Sequence, residues 1–409
     1  MNHEYDILIL GAGPAGLTAA IRLGAAGLKI ALLDKDPIPC EKVCGDALSG
    51  TVMNVLKRMP GDAYRDFTRL PGLYPSRGIR FWSPAGQPLD VPFTMDPDPL
   101  QPPPGFLCRR VDFERFLSDR LSGFPQVSLF PEKKVVRIGR TAEGISVYSG
   151  EESFLAPIVL GADGIHSITE KMLAGTRITD RKTCLGVRGY FRGVRDLHPG
   201  NFIELHFIRE LLPGYLWIFP MADGICNVGL GVTVDHQKAE KEPLAGRLMR
   251  LVREHPSLSA RFRESKPEGV PEVHGLPLGP EEKPLSGERF LLLGDAASLV
   301  DPFTGEGIAN AMISGEIAAE VAEHAFRSGD FSSSFLAEYD RLIRKRIWPE
   351  LQTSHTIRKF ASSAFLFNLV VKKASRNDEL KKLLVRMYTD ETARAELAKP
   401  GFYLKLLGA

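Results

Sequence analysis

Residues 11–16, Gly-Ala-Gly-Pro-Ala-Gly, form a GxGxxG turn, and an acid, Asp34, follows 18 residues after Gly16. Glycines at this spacing let a pyrophosphate approach the main chain, and a carboxylate at that distance can accept hydrogen bonds from an adenosine ribose. The chemistry these residues suit is dinucleotide binding. Two further acids follow glycines, Asp163 in Gly161-Ala162-Asp163-Gly164 and Asp295 in Gly294-Asp295, and the run Asp301-Pro302-Phe303-Thr304-Gly305-Glu306-Gly307 lies beyond the second. A thiol, Cys44, sits in Lys42-Val43-Cys44-Gly45-Asp46. Such a group can supply or relay a proton, or simply pack against a ring.

Each of these groups needs an element to deliver it. Residues 5–10 read as a buried parallel strand that runs into the glycine turn, and residues 17–26 as the helix whose amino end faces the bound charge. A second apolar run, residues 30–33, places Asp34 at a strand's carboxyl end. Residues 158–160 and 289–293 do the same for Asp163 and Asp295. After the Pro302 turn comes a helix-like stretch from Ile308 to about Ala325, whose positive end faces whatever lies beyond the sheet. The expected class is α/β, a Rossmann-like domain on a parallel sheet.

Composition permits this and narrows the partners. A chain of 409 residues can hold two or three domains with full cores. A net charge of +2 without a long basic stripe argues against nucleic acid. The short polar start carries no secretory signal, and no apolar run approaches the roughly 20 residues that span a bilayer. Five cysteines without framework or ligand spacing fit a reducing compartment and no structural metal, so a cytoplasmic protein is expected.

The middle of the chain has another character. Residues 76–104 are rich in Pro and Gly, and residues 184–275 alternate short strand-like runs with turns, which points to an inserted antiparallel sheet. Tyr215-Leu216-Trp217-Ile218-Phe219-Pro220, a turn at Ala222-Asp223-Gly224, and the run from Ile225 to Val232 read as a hairpin. Alternation puts Tyr215, Trp217 and Phe219 on one face, and Asn227, Gly229 and Gly231 on one face of the returning strand. Two glycines on one strand face suggest space for a ligand, or else a bulge or close packing.

The nucleotide segments together resemble the flavoprotein superfamily of para-hydroxybenzoate hydroxylase, over about the first 330 residues. The resemblance implies FAD. It places the pyrophosphate on Gly11, Gly13, Ala15 and Gly16, the adenosine ribose on Asp34 with Lys35, and the ribityl chain on Asp295 after Gly294. It also assigns the cofactor Arg110, Asp163 and Gly164, and sets Pro302, Gly305, Gly307 and Ile308 against the flavin ring. Tyr215-x-Trp217-x-Phe219-Pro220, eight residues, then Gly229-x-Gly231, together with Cys44-Gly45-Asp46, resembles the geranylgeranyl reductase family of FAD-dependent oxidoreductases. That resemblance implies that Cys44, Gly45 and Asp46 form the catalytic turn, with Cys44 and Gly45 also beside the flavin. It further implies that Tyr215, Trp217, Phe219, Gly229 and Gly231 border a channel for a prenyl chain.

The reaction implied is saturation of carbon–carbon double bonds in a prenyl chain on a lipid or isoprenoid, with NADPH or ferredoxin as electron donor. An isolated alkene is a poor electrophile, so reduced flavin must be held close, a proton must reach the other carbon, and water must stay out. A flavin monooxygenase or halogenase on the same scaffold is the alternative, since a Trp-x-Trp-x-Ile-Pro run is superficially similar to residues 215–220. A disulfide oxidoreductase fits less well, because Cys40 and Cys44 are separated by three residues and no second glycine fingerprint follows. A quinone-linked dehydrogenase lacks the Cys-x₂-Cys run of an iron–sulfur cluster.

The expected division is a FAD-binding domain of residues 1–75, 105–183 and 276–335, a substrate domain of residues 76–104 and 184–275, and a helical region of residues 336–409. In that last part, residues 341–346 and 380–387 read as amphipathic helices with basic faces, flanking the apolar segment 365–371 and Lys372-Lys373. The expectation is a helix packed on the FAD domain with a solvated basic edge, with docking at a lipid surface as the alternative. A monomer is expected.

Overall fold

The computed structural model describes residues 2–94, 102–176 and 183–377, with residues 380, 382 and 385 beyond them. The run 380–387 therefore lies largely outside the described residues.

Short runs of consecutive apolar residues become strands buried on both faces, as expected for parallel pairing. Ile7–Leu10, Ile30–Leu33 and Ile158–Gly161 are buried throughout. They lie in a six-stranded sheet whose order is Ser286–Gly287, Phe290–Leu292, Ile158–Gly161, Ile7–Leu10, Ile30–Leu33, Val127–Phe130, with all pairs parallel except the first. The carboxyl ends of four neighbouring strands thus share one edge, and they carry Gly11, Asp34, Asp163 and Asp295. Helix Pro14–Ala25 starts directly after Gly13, with Pro14 in its first turn and Gly13 as its cap. It packs on helix Ile308–Ser328, which is apolar on most of its circumference because it is covered from several sides.

A four-stranded sheet, Asn2–Glu4, Glu152–Ala156, Ile145–Ser149 and Arg137–Arg140, lies beside this layer. A seven-stranded sheet follows the order Lys266–Pro277, Thr183–Arg192, Ile225–Thr233, Tyr215–Pro220, Phe202–His206, Gly78–Trp82, Pro88–Pro92. It is antiparallel but for one pair: Phe202–His206 and Gly78–Trp82 run parallel. No hairpin joins those two strands, since they come from separate stretches of chain, so no short turn imposes a direction on them.

The expected hairpin forms, with Tyr215 opposite Gly231, Trp217 opposite Gly229 and Phe219 opposite Asn227. Its turn uses Asp223 and Gly224, both at positive φ. Alternation sends the two faces to different cores. Leu216 and Ile218 pack with Leu248 and Leu251 of helix Leu244–Glu254, while Phe219 joins Ile203, Leu205 and Phe207.

Helix Ala364–Ala374 packs on the seven-stranded sheet, not on the nucleotide-binding layer as expected. Phe367 lies 4.2 Å from Phe207 between ring centroids, and Val371 and Ala374 pack on Leu89 and Val91. Its apolar side completes the aromatic cluster of that sheet, and a sequence run cannot indicate which of two apolar layers it will cover. Phe365 on the same helix is exposed.

Candidate functional site

The parallel strands, the seven-stranded sheet and the loops between them enclose one continuous cavity of about 1400 Å³. A pocket for one drug-sized ligand has about 300–1,000 Å³, so this space can take a large cofactor and a second molecule.

At one end stands the glycine turn. Gly11 has φ +102° and lies so close to the next strand that a Cβ would sit 2.2 Å from the Ala162 carbonyl oxygen. A Cβ on Gly16 would be 1.9 Å from the Gly11 oxygen, so Gly16 serves the contact between helix and turn and does not line the cavity. Gly13 differs, because its Cβ would meet only the Arg110 and Lys42 side-chain ends, 3.8 and 4.0 Å away. It borders an open cradle beneath the first-turn amides of helix Pro14–Ala25, which have no partner within the helix. Asp34 accepts from the Ala12 amide at 2.6 Å and from the Asp36 amide at 3.0 Å, which fixes its carboxylate at the rim. Lys35 and Ala15 also line this end.

The two later acids have different surroundings. Asp163 accepts from the Ser167 hydroxyl at 2.6 Å and from the Thr169 amide and hydroxyl at 3.0 Å each, so it ties down its own loop next to Gly164. Among the described residues the Asp295 carboxylate accepts no hydrogen bond, yet the residue faces the cavity. Burial pushes its carboxyl above the usual range, against the pull of His274, Arg110 and Lys42. Such a carboxylate is set to accept from a ligand hydroxyl. Asp301 organises the following turn, accepting from Phe303 and Thr304 amides at 2.9 and 2.7 Å. Pro302, Gly305, Gly307 and Ile308 form the cavity wall there.

The residues present fit FAD. An open glycine cradle at a helix start, a rim carboxylate and an unpartnered carboxylate inside the cavity match the pyrophosphate and the two hydroxyl-bearing chains of that cofactor.

Cys44 and Gly45 occupy the middle of the cavity wall. Burial, reinforced by the Asp46 charge, raises the Cys44 thiol above its ordinary value, and Arg110 pulls the other way. Arg110 begins helix Arg110–Asp119 and pairs with buried Glu114 at 2.8 Å. Although burial opposes its charge, Glu114 and Cys44 keep the guanidinium protonated. Arg110 therefore bridges the thiol and the glycine cradle, where Lys42 stands 3.8 Å from the same Glu114.

Asp46 lies behind this wall, fully buried and outside the cavity. It accepts from the Tyr190 hydroxyl at 2.7 Å, the Asn227 side-chain amide at 2.8 Å and the Arg110 backbone amide at 3.0 Å. Burial still raises its pKa. Asn227 also donates to the Cys44 carbonyl at 2.7 Å and accepts from the Trp217 indole at 2.9 Å. One chain of hydrogen bonds thus joins the aromatic strand to the thiol loop. On the outer side, Arg188 pairs with Glu41 at 2.6 Å and sits over Tyr190.

The hairpin residues divide. Tyr215, Trp217, Phe219 and Gly231 line the cavity, and Gly45 faces Phe219 and Trp217, where a Cβ would come within 3.1 Å of the Phe219 ring. Gly229 does not line it. A Cβ there would be 2.2 Å from the Trp217 ring and 2.3 Å from the Val187 oxygen, so this glycine makes room for the indole instead of for a ligand. At Gly231 a Cβ would find the Cys184 sulfur at 3.6 Å, an ordinary distance. The Tyr215 hydroxyl donates to the Thr304 carbonyl, joining the hairpin to the Pro302 turn. Beyond the hairpin the cavity continues between Phe81, Phe93, Ile203, Leu205 and Phe207.

Sequence reasoning missed Tyr190, Lys42 and the function of Asn227. Asn227 carried a usable signal, since a polar amide on the inward face of an apolar strand needs a partner. Tyr190 and Lys42 carried none.

The comparisons agree with this geometry. The model of a family described as FAD binding domain matches residues 4–352. Digeranylgeranylglycerophospholipid reductase 1 of Methanothermobacter thermautotrophicus is 30% identical over 370 residues, covering 88% of this chain and 87% of that protein. Menaquinone reductase of Mycolicibacterium smegmatis is 28% identical, covering 88% and 83%. Among solved structures, a geranylgeranyl bacteriochlorophyll reductase-like protein from Thermoplasma acidophilum shares the fold, with a TM-score of 0.77, 23% identity and coverage of 100% and 96%. A flavin-dependent brominase shares it too, with a TM-score of 0.75, 19% identity and coverage of 96% and 97%.

Proposed function

We propose, for a chain that belongs to the geranylgeranyl reductase family of FAD-dependent oxidoreductases, that it saturates carbon–carbon double bonds in a prenyl chain carried by a lipid or isoprenoid. The observation that supports this reading is the continuity of the cavity. One space runs from the glycine cradle past Cys44 and Gly45 to the aromatic wall of Trp217, Phe219 and Phe207. Bound FAD would supply the hydride, with electrons arriving from NADPH or ferredoxin.

The chain's own residues supply the rest. Gly13, Lys42 and Arg110 would hold the pyrophosphate, Asp34 the adenosine ribose and Asp295 the ribityl chain. The apolar wall excludes water and orients the alkene, gaining roughly 25 cal/mol per Å² of buried apolar surface before ordering costs. Cys44 holds a proton at Sγ over the physiological range because burial raises its pKa. When the proton passes to the alkene carbon opposite the hydride, the thiolate left behind is stabilised by Arg110. Asp46 and Asn227 keep the thiol loop in place.

On the same reading, residues 1–75, 105–183 and 276–335 carry the cofactor and residues 76–104 and 184–275 the substrate, a division supported by the separate cores of the two sheets. No described helix is long and apolar enough to cross a membrane. Exposed Phe365 with Lys372 and Lys373 supports a peripheral lipid contact.

The test is anaerobic incubation of dithionite-reduced holoenzyme with geranylgeranyl lipids, followed by mass spectrometry, in which each saturation adds two hydrogens. Product formation that requires oxygen would instead favour a monooxygenase or halogenase.

A further inference from the structure

One arginine in the cavity wall has no acidic partner among the described residues. Arg358 belongs to helix Trp348–Ala361 and lines the cavity together with Ser354, one turn earlier on the same helix face. Among the described residues its guanidinium makes no ion pair and no hydrogen bond, unlike Arg110, Arg188 and Arg261, each of which pairs with a glutamate. Burial lowers its pKa, with only the neighbouring Cys184 thiol acting in the other direction. That thiol is itself pushed up to about 12 and holds no charge at neutral pH. The Ser354 hydroxyl, in a residue only 8% exposed, likewise has no hydrogen-bond partner among the described residues. Glu350 lies on the same helix and has an interaction of its own, and it stands eight residues from Arg358, about 12 Å along the axis.

A desolvated guanidinium and a hydroxyl four residues apart, both open to a ligand cavity and both without a partner among the described residues, form a donor set for a phosphate. Their place in the cavity fits a substrate head. Cys184, beside Arg358, lies against Gly231, which is four residues along its strand from Asn227, or about 13 Å. A molecule with its charged end at Arg358 would run its tail over Gly231 and Trp217 to the Cys44 turn and on toward Phe207. The separate pyrophosphate cradle has its own cations, Arg110 and Lys42.

We infer that Ser354 and Arg358 bind the phosphate of a phosphate-headed prenyl substrate, so that the cavity selects an isoprenoid phosphate or phospholipid over an uncharged or quinone-headed chain. This rests on the prenyl reading of the cavity, and it also accounts for a cation that FAD does not need.

The test compares the binding of phytanyl phosphate and phytanol, saturated C20 probes that need no turnover, by quenching of flavin fluorescence in the holoenzyme. The phosphate is expected to bind at least ~30-fold tighter, in line with charge-assisted hydrogen bonds to a buried guanidinium. Arg358→Gln should bring that ratio near one, Arg358→Lys should leave it intermediate, and Ser354→Ala should lower it severalfold. Flavin absorbance and melting temperature report whether each variant is folded. A dialkylglycerol phosphate that outcompetes phytanyl phosphate would assign the site to a phospholipid head, and the reverse order would assign it to a single-chain prenyl phosphate. A wild-type ratio near one, an unchanged ratio in Arg358→Gln, or inorganic phosphate binding as tightly as phytanyl phosphate would overturn the assignment. Failure of the reductase reading shows separately, as geranylgeranyl phosphate that binds but gains no hydrogen.

Discussion

The side-chain amide of Asn227 donates to the carboxylate of Asp46 across 2.8 Å, joining residues 181 apart in sequence. Through it, the strand behind the aromatic wall holds the loop that carries the Cys44 thiol. The position of that thiol is therefore set by the seven-stranded sheet as much as by the glycine-turn domain.

Asn227→Ala should accordingly cost stability and activity together. It leaves the buried Asp46 carboxyl and the Trp217 indole each short of a partner, at about 1–3 kcal/mol per unsatisfied group. Denaturant midpoints measure the first effect and prenyl reduction the second. A variant with a wild-type midpoint and rate would show that the loop does not depend on this bond.

Gly11→Ala and Gly13→Ala should separate folding from cofactor binding. The first drives a Cβ into the Ala162 carbonyl at a positive φ and should fail to fold. The second meets no backbone, so circular dichroism should stay native while the flavin absorbance of the purified protein falls. Full flavin content in Gly13→Ala would argue against the cradle.

The two hairpin glycines should behave differently. Gly229→Ala collides with Trp217 and should destabilise the protein by about 1–3 kcal/mol through overpacking. Gly231→Ala should melt like wild type and raise KM for the prenyl substrate, because its methyl enters the cavity. Equal melting losses in both would contradict the separation.

Cys44→Ala should retain FAD and slow prenyl reduction by about 10²–10⁴-fold, the usual contribution of a positioned proton donor. The wild-type rate has a definite pH signature. Because burial raises the thiol pKa above 9.0, the proton remains in place at neutral pH, so the rate should stay level to about that pH and fall only beyond it. A rate that declines between pH 7 and 8 would point to a different donor.

Glu204 gives a stability test away from the chemistry. Burial alone would raise its pKa, but His206 and Arg261, the latter at 2.8 Å through both nitrogens, bring it down to about 2 from 4.5. A depressed folded-state pKa contributes stability above pH 4.5 that is lost as the pH falls toward 2. The 2.5-unit difference corresponds to about 3 kcal/mol. Glu204→Gln should be less stable by roughly that amount at neutral pH, and the gap should close in acid. A gap that stays constant down to pH 2 would remove the ion pair from the account.

The nucleotide half of the molecule was legible because its signals are local. The strand Ile7–Leu10, the turn after it and Asp34 lie within 34 residues, and each apolar run fixes its strand without help from elsewhere. The hairpin was equally plain, since alternation and a short turn determine its register. Gly229 was misread as ligand space because a glycine on a strand face does not say what lies above it, and here Trp217 does. The parallel pairing of Gly78–Trp82 with Phe202–His206 and the docking of helix Ala364–Ala374 on the seven-stranded sheet depend on contacts between distant segments.

The sequence by itself determined that a dinucleotide binds, through a strand, turn and acid close enough together for backbone geometry to dictate their arrangement, and the resemblance carried by Asp163, Asp295 and the Pro302 turn narrowed it to FAD. It also singled out the Cys44 thiol and the aromatic strand. Only the tertiary structure decided how they meet: Asn227, Asp46 and Tyr190 lock them together, and Arg358 stands in the wall of their shared cavity with no ion pair among the described residues. Burial and partnership are properties of the packed chain, because a side chain's charge and proton depend on neighbours that hundreds of residues of sequence can separate.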